Sequence, residues 1–306
     1  MKPAVCSIRE NTINLLVVFL ILTIGFGCGC PNLNNHNGNR HLSEDNSNNQ
    51  PQSAKKSTKA NTKAPLVKKS EKSDNGDFLV EYIDVQDEQY EKVNQEMRQE
   101  KVLERAAKEL NKSLALPYDI TLVTRDCGQI NAFYSQDEHS VTMCYEIMDF
   151  YYQLFRKSGL SEQEASQKMF DTMQFIFLHE LGHALIDAYQ LPVTGNEEDS
   201  ADRLSSYINL KELGDSGSRA AIAAANAFSL QSELQDNKHL PFYDEHSLDQ
   251  QRFYNILCAL YGSNPDKYEI LVTKNLLPEQ RAARCPNEYQ QIVRTWEGLL
   301  KPYRKQ

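Results

Sequence analysis

Apolar and polar positions are sorted along this chain in four ways. Between Phe175 and Ile186 almost every position is apolar, and the polar side chains are only His179, Glu180 and His183. The run sits in a helical pattern predicted over Glu162 to Tyr189, and a helix this apolar is expected to be buried. Upstream, Ile120 to Thr124 and His139 to Tyr145 alternate and are rich in β-branched residues, Asn131 to Tyr134 reads as extended, and Gln136-Asp137-Glu138 reads as a turn. These segments predict a small antiparallel sheet ahead of the apolar helix. Further helices are predicted over Glu88 to Leu114 as one long charged helix, and over Glu146 to Lys157, Arg219 to Leu234, Leu248 to Tyr261 and Asn287 to Leu300. The remaining two patterns lie near Met1: an apolar run from Leu15 to Gly27, then an Asn-, Ser- and Lys-rich stretch from Asn32 to Gly76.

The three polar residues in the apolar helix form a His-Glu-x-x-His motif. Four residues turn about 400° on an α-helix, so His179 and His183 project from one face, a turn apart. Two such imidazoles can share one zinc ion, and Glu180 can reach a water beside it as general base. Burying all three without compensation would cost several kcal/mol, on the order of the penalty for unpaired polar groups. A metal supplies that compensation.

A catalytic zinc usually has three protein ligands. After the breakers Leu191-Pro192-Val193-Thr194-Gly195, a second helix is predicted from Asn196, a good N-cap, through Asp202. Glu198 and Asp202 share one of its faces. Glu198 is the candidate third ligand, with Glu197 and Asp199 as rivals, since acidic residues also favour a helix's first turn for its dipole alone. Asp202 is the candidate partner for the free ring N–H of a ligand histidine, His179 first. Gly182 and Ala201 are small enough to let the two helices approach.

His-Glu-Leu-Gly-His at 179–183 followed by Glu-Asp-Ser-Ala-Asp at 198–202 resembles the gluzincin, or thermolysin-like, branch of zinc metallopeptidases. The likeness extends to Cys127 to Tyr134, Cys144-Tyr145-Glu146, Leu191-Pro192-Val193 and Asp244 to Tyr254. Together these segments resemble a family of exported bacterial metallopeptidases that carries a domain-of-unknown-function label. The resemblance spans about Phe78 to Tyr289. It implies an α+β, zincin-like fold: a small antiparallel sheet, the active-site helix, and a mostly helical C-terminal lobe. It also implies a peptide substrate lying as an added strand on a sheet edge, near Asn131-Ala132. The loop between His183 and Glu198 is shorter than in thermolysin.

Peptide hydrolysis also needs a donor for the developing oxyanion. Thermolysin-like enzymes take a histidine from the C-terminal half, and His246, opening a helix at Phe242 to His246 beside Asp244 and Glu245, is the candidate. His239 is a poorer choice, and Tyr189 and Tyr207 are phenolic alternatives. His36, His41 and His139 are given no role.

Leu15 to Gly27 is short for a membrane span but suits a signal-peptide core after Lys2 and Arg9. Cys28, after Gly25-Phe26-Gly27, resembles a bacterial lipoprotein cleavage site, with Cys30 or a plain signal cleavage as alternatives. The expected organisation is a signal peptide over 1–27, a polar tether over 28–76 that cannot bury enough surface to fold, and a metallopeptidase-like domain over 77–306. The chain carries net charge −9. The part before Asp77 is net basic, so the domain is strongly acidic, which argues against nucleic acid as a partner. Setting Cys6, Cys28 and Cys30 aside leaves Cys127, Cys144, Cys258 and Cys285. An even count in an exported chain suggests two disulfides, expected as Cys127–Cys144 and Cys258–Cys285 among three pairings. The absence of C-x-x-C spacing tells against a thiolate metal site. Two functions follow: an exported, lipid-anchored zinc metallopeptidase, or a zinc-stabilised binding or envelope-maintenance module that hydrolyses little. Glu180 argues against the second, because a structural metal has no use for it.

Overall fold

The computed structural model describes residues 74–234, 240 and 242–305. The expected signal segment and the expected tether as far as residue 73, with Cys28, Cys30, His36, His41 and also His239, lie outside the described residues. Among the described residues no helix is long and apolar enough to cross a membrane.

The chain enters through β1 (Phe78–Tyr82), passes α1 (Glu88–Gln99) and α2 (Val102–Ser113), and continues into β2 (Ile120–Arg125), β3 (Ala132–Ser135) and β4 (Ser140–Cys144). The sheet order is β1-β2-β4-β3. This is a mixed sheet, which corrects the expectation of an antiparallel one: β1 with β2 and β2 with β4 are parallel, and only the β3–β4 hairpin is antiparallel. The helical pair α1–α2 carries the chain back between β1 and β2, and such a crossover makes its two strands parallel. The long charged helix predicted over Glu88 to Leu114 is likewise corrected to two. Lys101 adopts a left-handed backbone (φ 51°) between them. No glycine or proline marks that break; packing sets it. Met97 of α1 joins Tyr145 and Met148, while Leu103, Ala107 and Leu110 of α2 join the sheet.

Next come α3 (Tyr145–Lys157), α4 (Glu162–Tyr189), α5 (Glu197–Tyr207, prolonged by a π-helical turn over Ile208–Glu212), α6 (Gly214–Leu234), α7 (Asp249–Ser263), the short α8 (Glu269–Thr273) and α9 (Glu279–Ala282), and α10 (Cys285–Leu300). The helix predicted to open at Phe242 begins only at Asp249. The preceding residues form turns in which the Asp244 carboxylate accepts the backbone N–H of His246 at 2.9 Å. That local bond competes with helix formation.

Helix α4 is the spine. Leu178, Leu181 and Leu185 pack with the sheet and with Leu204, Tyr207 and Trp296; Met169, Phe170, Met173 and Ile176 pack with α3; Phe175 packs with Ala221, Phe228 and Leu257. A helix meeting three apolar clusters must be apolar on all sides, which is why its pattern lacks a polar stripe. A capping box opens it: Ser161 Oγ accepts from the Glu164 N–H, and the Glu164 carboxylate accepts from the Ser161 N–H. Disulfides join Cys127 to Cys144 and Cys258 to Cys285.

Candidate metal centre and active site

Helices α4 and α5 touch where their residues are smallest. A Cβ added at Gly182 would stand 2.9 Å from the Ala201 Cα. The contact brings the first turn of α5 over the His179–His183 face. Asn196 caps α5 by accepting the Glu198 N–H at 2.9 Å, which sets the turn that carries Glu197, Glu198 and Asp199.

Three donor atoms converge between the helices. His179 Nε2 lies 3.0 Å from Glu198 Oε2 and 3.3 Å from His183 Nε2, and His183 Nε2 lies 3.4 Å from Glu198 Oε2. Ligands about 2.0–2.1 Å from a tetrahedral zinc stand roughly 3.3–3.4 Å apart, so this donor set and spacing fit the ion. Both rings are held from behind at Nδ1. Asp202 Oδ1 is 2.8 Å from His179 Nδ1, and Glu197 Oε1 is 2.8 Å from His183 Nδ1. Such carboxylate–histidine bonds fix ring orientation and leave Nε2 for a metal.

Asp202 is anchored in turn. Arg252 of α7 donates to it twice, through Nε and a terminal nitrogen, each at 2.8 Å, and stacks over Phe228 with its guanidinium carbon 4.1 Å from the ring centre. Burial would raise the Asp202 carboxyl, but Arg252 and His179 outweigh it and hold it well below the usual carboxylate range. Glu198 behaves alike: burial opposes ionisation, and hydrogen bonds from His179, His183 and His246 overcome it and lower it. Burial alone would depress His179, yet Asp202 and Glu198 lift it to about 9. Glu180 is 7% exposed, and its carboxyl is raised chiefly by desolvation. A raised carboxyl beside two imidazoles is the environment of a proton acceptor.

His246 sits in the turn before α7, half exposed, with Nε2 2.9 Å from Glu198 Oε2. The turn is moored to α5 on both sides of the histidine. Asn196 donates to the Glu245 carbonyl, and Ser247 donates to Asp199 Oδ1 at 2.8 Å. Of the rival ligands, then, Asp199 is engaged with Ser247 and Glu197 supports His183 from the rear.

Two concavities meet at Glu180. One, of about 620 Å³, runs along β3 past Ala132, Tyr134, His183 and Glu198. The other, of about 430 Å³, is walled by Ile130, Ile147, Phe150, Ile176 and Phe228. His179, Glu180, His246, Asn131 and Ala132 line both. Strand β3 is the sheet's end strand. The Asn131 carbonyl accepts from Cys144 at 3.3 Å, so by antiparallel alternation Ala132 and Tyr134 turn their backbone N–H and C=O groups to the open side.

Other candidates lie apart. The Tyr207 hydroxyl donates to Glu212 at 2.6 Å, and Tyr189 stacks on Tyr303 with its hydroxyl buried. His139 stacks on Tyr118 at 4.0 Å. Two residues were missed by reading the sequence, Arg252 and Asp187. Arg252 falls within the Asp244–Tyr254 stretch without any spacing signal. Asp187 lies one turn after His183 on α4, and that i+4 spacing is the cue.

A family model, DUF4344, described as “Putative metallopeptidase”, matches residues 82–300. No curated protein and no solved structure matches the chain. With that model spanning most of the chain, and with the His-Glu-x-x-His group on α4, the chain belongs to the DUF4344 metallopeptidase family.

Proposed function

We propose that the domain is a zinc endopeptidase in which His179, His183 and Glu198 hold the metal. The observation that carries this reading is the convergence of their three donor atoms within 3.4 Å of one another, beside the buried Glu180 on the floor of a cleft edged by β3. A zinc ion held there supplies Lewis acidity toward a substrate carbonyl and lowers the pKa of a water next to it. Glu180 takes the proton of the attacking water, and burial, by raising its carboxyl, strengthens it as a base. It then passes that proton to the leaving amine. His246, on the open side of the cleft, donates to the carbonyl oxygen as negative charge develops there. The outward backbone groups of Ala132 and Tyr134 receive an extended peptide as an added strand. Space on both sides of Glu180 suits cleavage within a chain rather than at its end.

The proposal extends to location. Two disulfides suit an oxidising compartment, and Leu15 to Cys28 reads as a lipoprotein signal with acylation at Cys28 and a tether up to Gly76. The activity is tested by incubating the purified domain with β-casein, removing metal with a chelator and restoring it with zinc. Cleavage that stops and returns, with about one zinc per chain, supports the reading; cleavage indifferent to chelation rejects it. Location is tested separately by expressing Cys28→Ser: detergent-phase protein should become soluble or stay as the uncleaved precursor, and a Cys28→Ser protein that is processed and still partitions into detergent like wild type would rule out the anchor at Cys28.

A further inference from the structure

Asp187 is half-buried on α4, one turn beyond His183, and its carboxylate collects donors from the sheet side of the cleft. Tyr134 Oη donates at 2.8 Å and Tyr118 Oη at 3.1 Å to one oxygen, and Gln136 Nε2 donates at 2.7 Å to the other. Tyr134 belongs to β3 and Gln136 follows it directly, whereas Tyr118 precedes β2. Asp187 therefore ties the end strand to the helix that carries the His-Glu-x-x-His group. The tie reaches a telling residue. Tyr134 is one of the two β3 residues whose backbone N–H and C=O face the open side of the sheet, so the side chain held by Asp187 belongs to a residue positioned to pair with an incoming strand.

We propose that Asp187 is a positioning residue for substrate: it sets the height and register of the open edge of β3 over α4, so that an extended peptide pairing with Tyr134 and Ala132 lies across Glu180. The proposal rests on the peptidase reading above. An end strand held only by its hairpin partner, β4, could shift against α4, and an edge that is no longer held in place binds an extended chain less tightly, because ordering it then consumes binding energy. The Tyr134–Asp187 bond spans strand and helix directly and opposes that motion. The loss should appear in substrate binding, because Asp187 touches neither the metal donors nor Glu180.

The test compares Asp187→Asn, Tyr134→Phe and the double variant on fluorescein-labelled casein. Each single change should raise KM about tenfold and leave kcat within about twofold, as expected when binding of the extended chain, not its chemistry, is lost. The double variant should be no worse than Asp187→Asn alone, because Tyr134→Phe removes a bond that Asp187→Asn already disrupts; Asp187→Glu should recover part of the loss. Effects that multiply, fall on kcat, or leave KM unchanged would overturn the proposal. If wild type leaves casein intact, the peptidase reading fails instead, and hydrogen exchange decides about the tie. The Phe133 and Ser135 amides should exchange at least about tenfold faster in Asp187→Asn than in wild type, with α4 amides unchanged. Equal exchange in β3 would overturn it.

Discussion

At the scale of single residues, the centre is a nested set of charges. Glu198 and the two histidines present donors, Asp202 and Glu197 hold the rings, and Arg252 holds Asp202. Each layer has its own expected consequence. Glu198→Ala should remove the metal, because two ligands bind far more weakly than three. Asp202→Asn should weaken zinc binding by about 10–100-fold and no more. Titration with a competing chelator separates the two; equal losses would mean that Asp202 is itself a ligand. The same charges give the chelated protein a pH dependence. His179 has an ordinary value of 6.5 and stands at about 9 in the fold, and His183 and His246 are raised too. A group whose folded value is raised contributes stability that is complete below the unfolded value and lost as pH rises through the folded one. Metal-free protein should therefore lose thermal stability between about pH 6.5 and 9. A flat or rising melting temperature across that range would show that the histidines do not pair with Glu198 and Asp202 in this way.

At the scale of elements, the site exists because α4 and α5 can touch. Adding side-chain volume at Gly182 must push Ala201 away, and overpacking of this kind costs about 1–3 kcal/mol. Gly182→Val should lower the melting temperature and weaken zinc binding together, since the displaced helix carries Glu198. Retained affinity in a folded Gly182→Val protein would show that the helix contact does not set the ligand spacing. This contact was legible in the sequence, as were α4 and the start of α5, because apolar density, the His-Glu-x-x-His spacing and the Asn196 cap are local signals. Other elements were not. The break at Lys101 arises from two different packing partners on either side of it, with no breaker residue to announce it. The parallel pairing of β1, β2 and β4 depends on where α1 and α2 lead the chain, which no single strand records. β1 itself escaped notice because only Phe78 is buried in it and the strand's other residues face water at least in part. The sequence around His246 predicts helix because Asp244, Glu245 and the following apolar positions fit a helical start; the Asp244 side chain takes the His246 N–H instead.

At the scale of the whole molecule, three apolar clusters meet on α4, so the helix bearing His179 and His183 is packed against all three. The disulfides act at the two flanks of the site. Cys127–Cys144 closes the loop that leads into β3, and Cys258–Cys285 joins α7, which carries Arg252, to α10. A rigid spine, an end strand and a moored histidine loop form a cleft around one buried carboxylate. Everything proposed about chemistry depends on that carboxylate accepting a proton. The most direct measurement is the rate of casein cleavage by Glu180→Gln beside wild type, with zinc content and melting temperature recorded for both. Glutamine keeps the shape but cannot take the water's proton, so Glu180→Gln should keep about one zinc per chain and an intact fold while its rate falls by several orders of magnitude, on the scale of losing a general base and its electrostatic support. A zinc-loaded Glu180→Gln protein that cleaves as fast as wild type would contradict proton acceptance by Glu180.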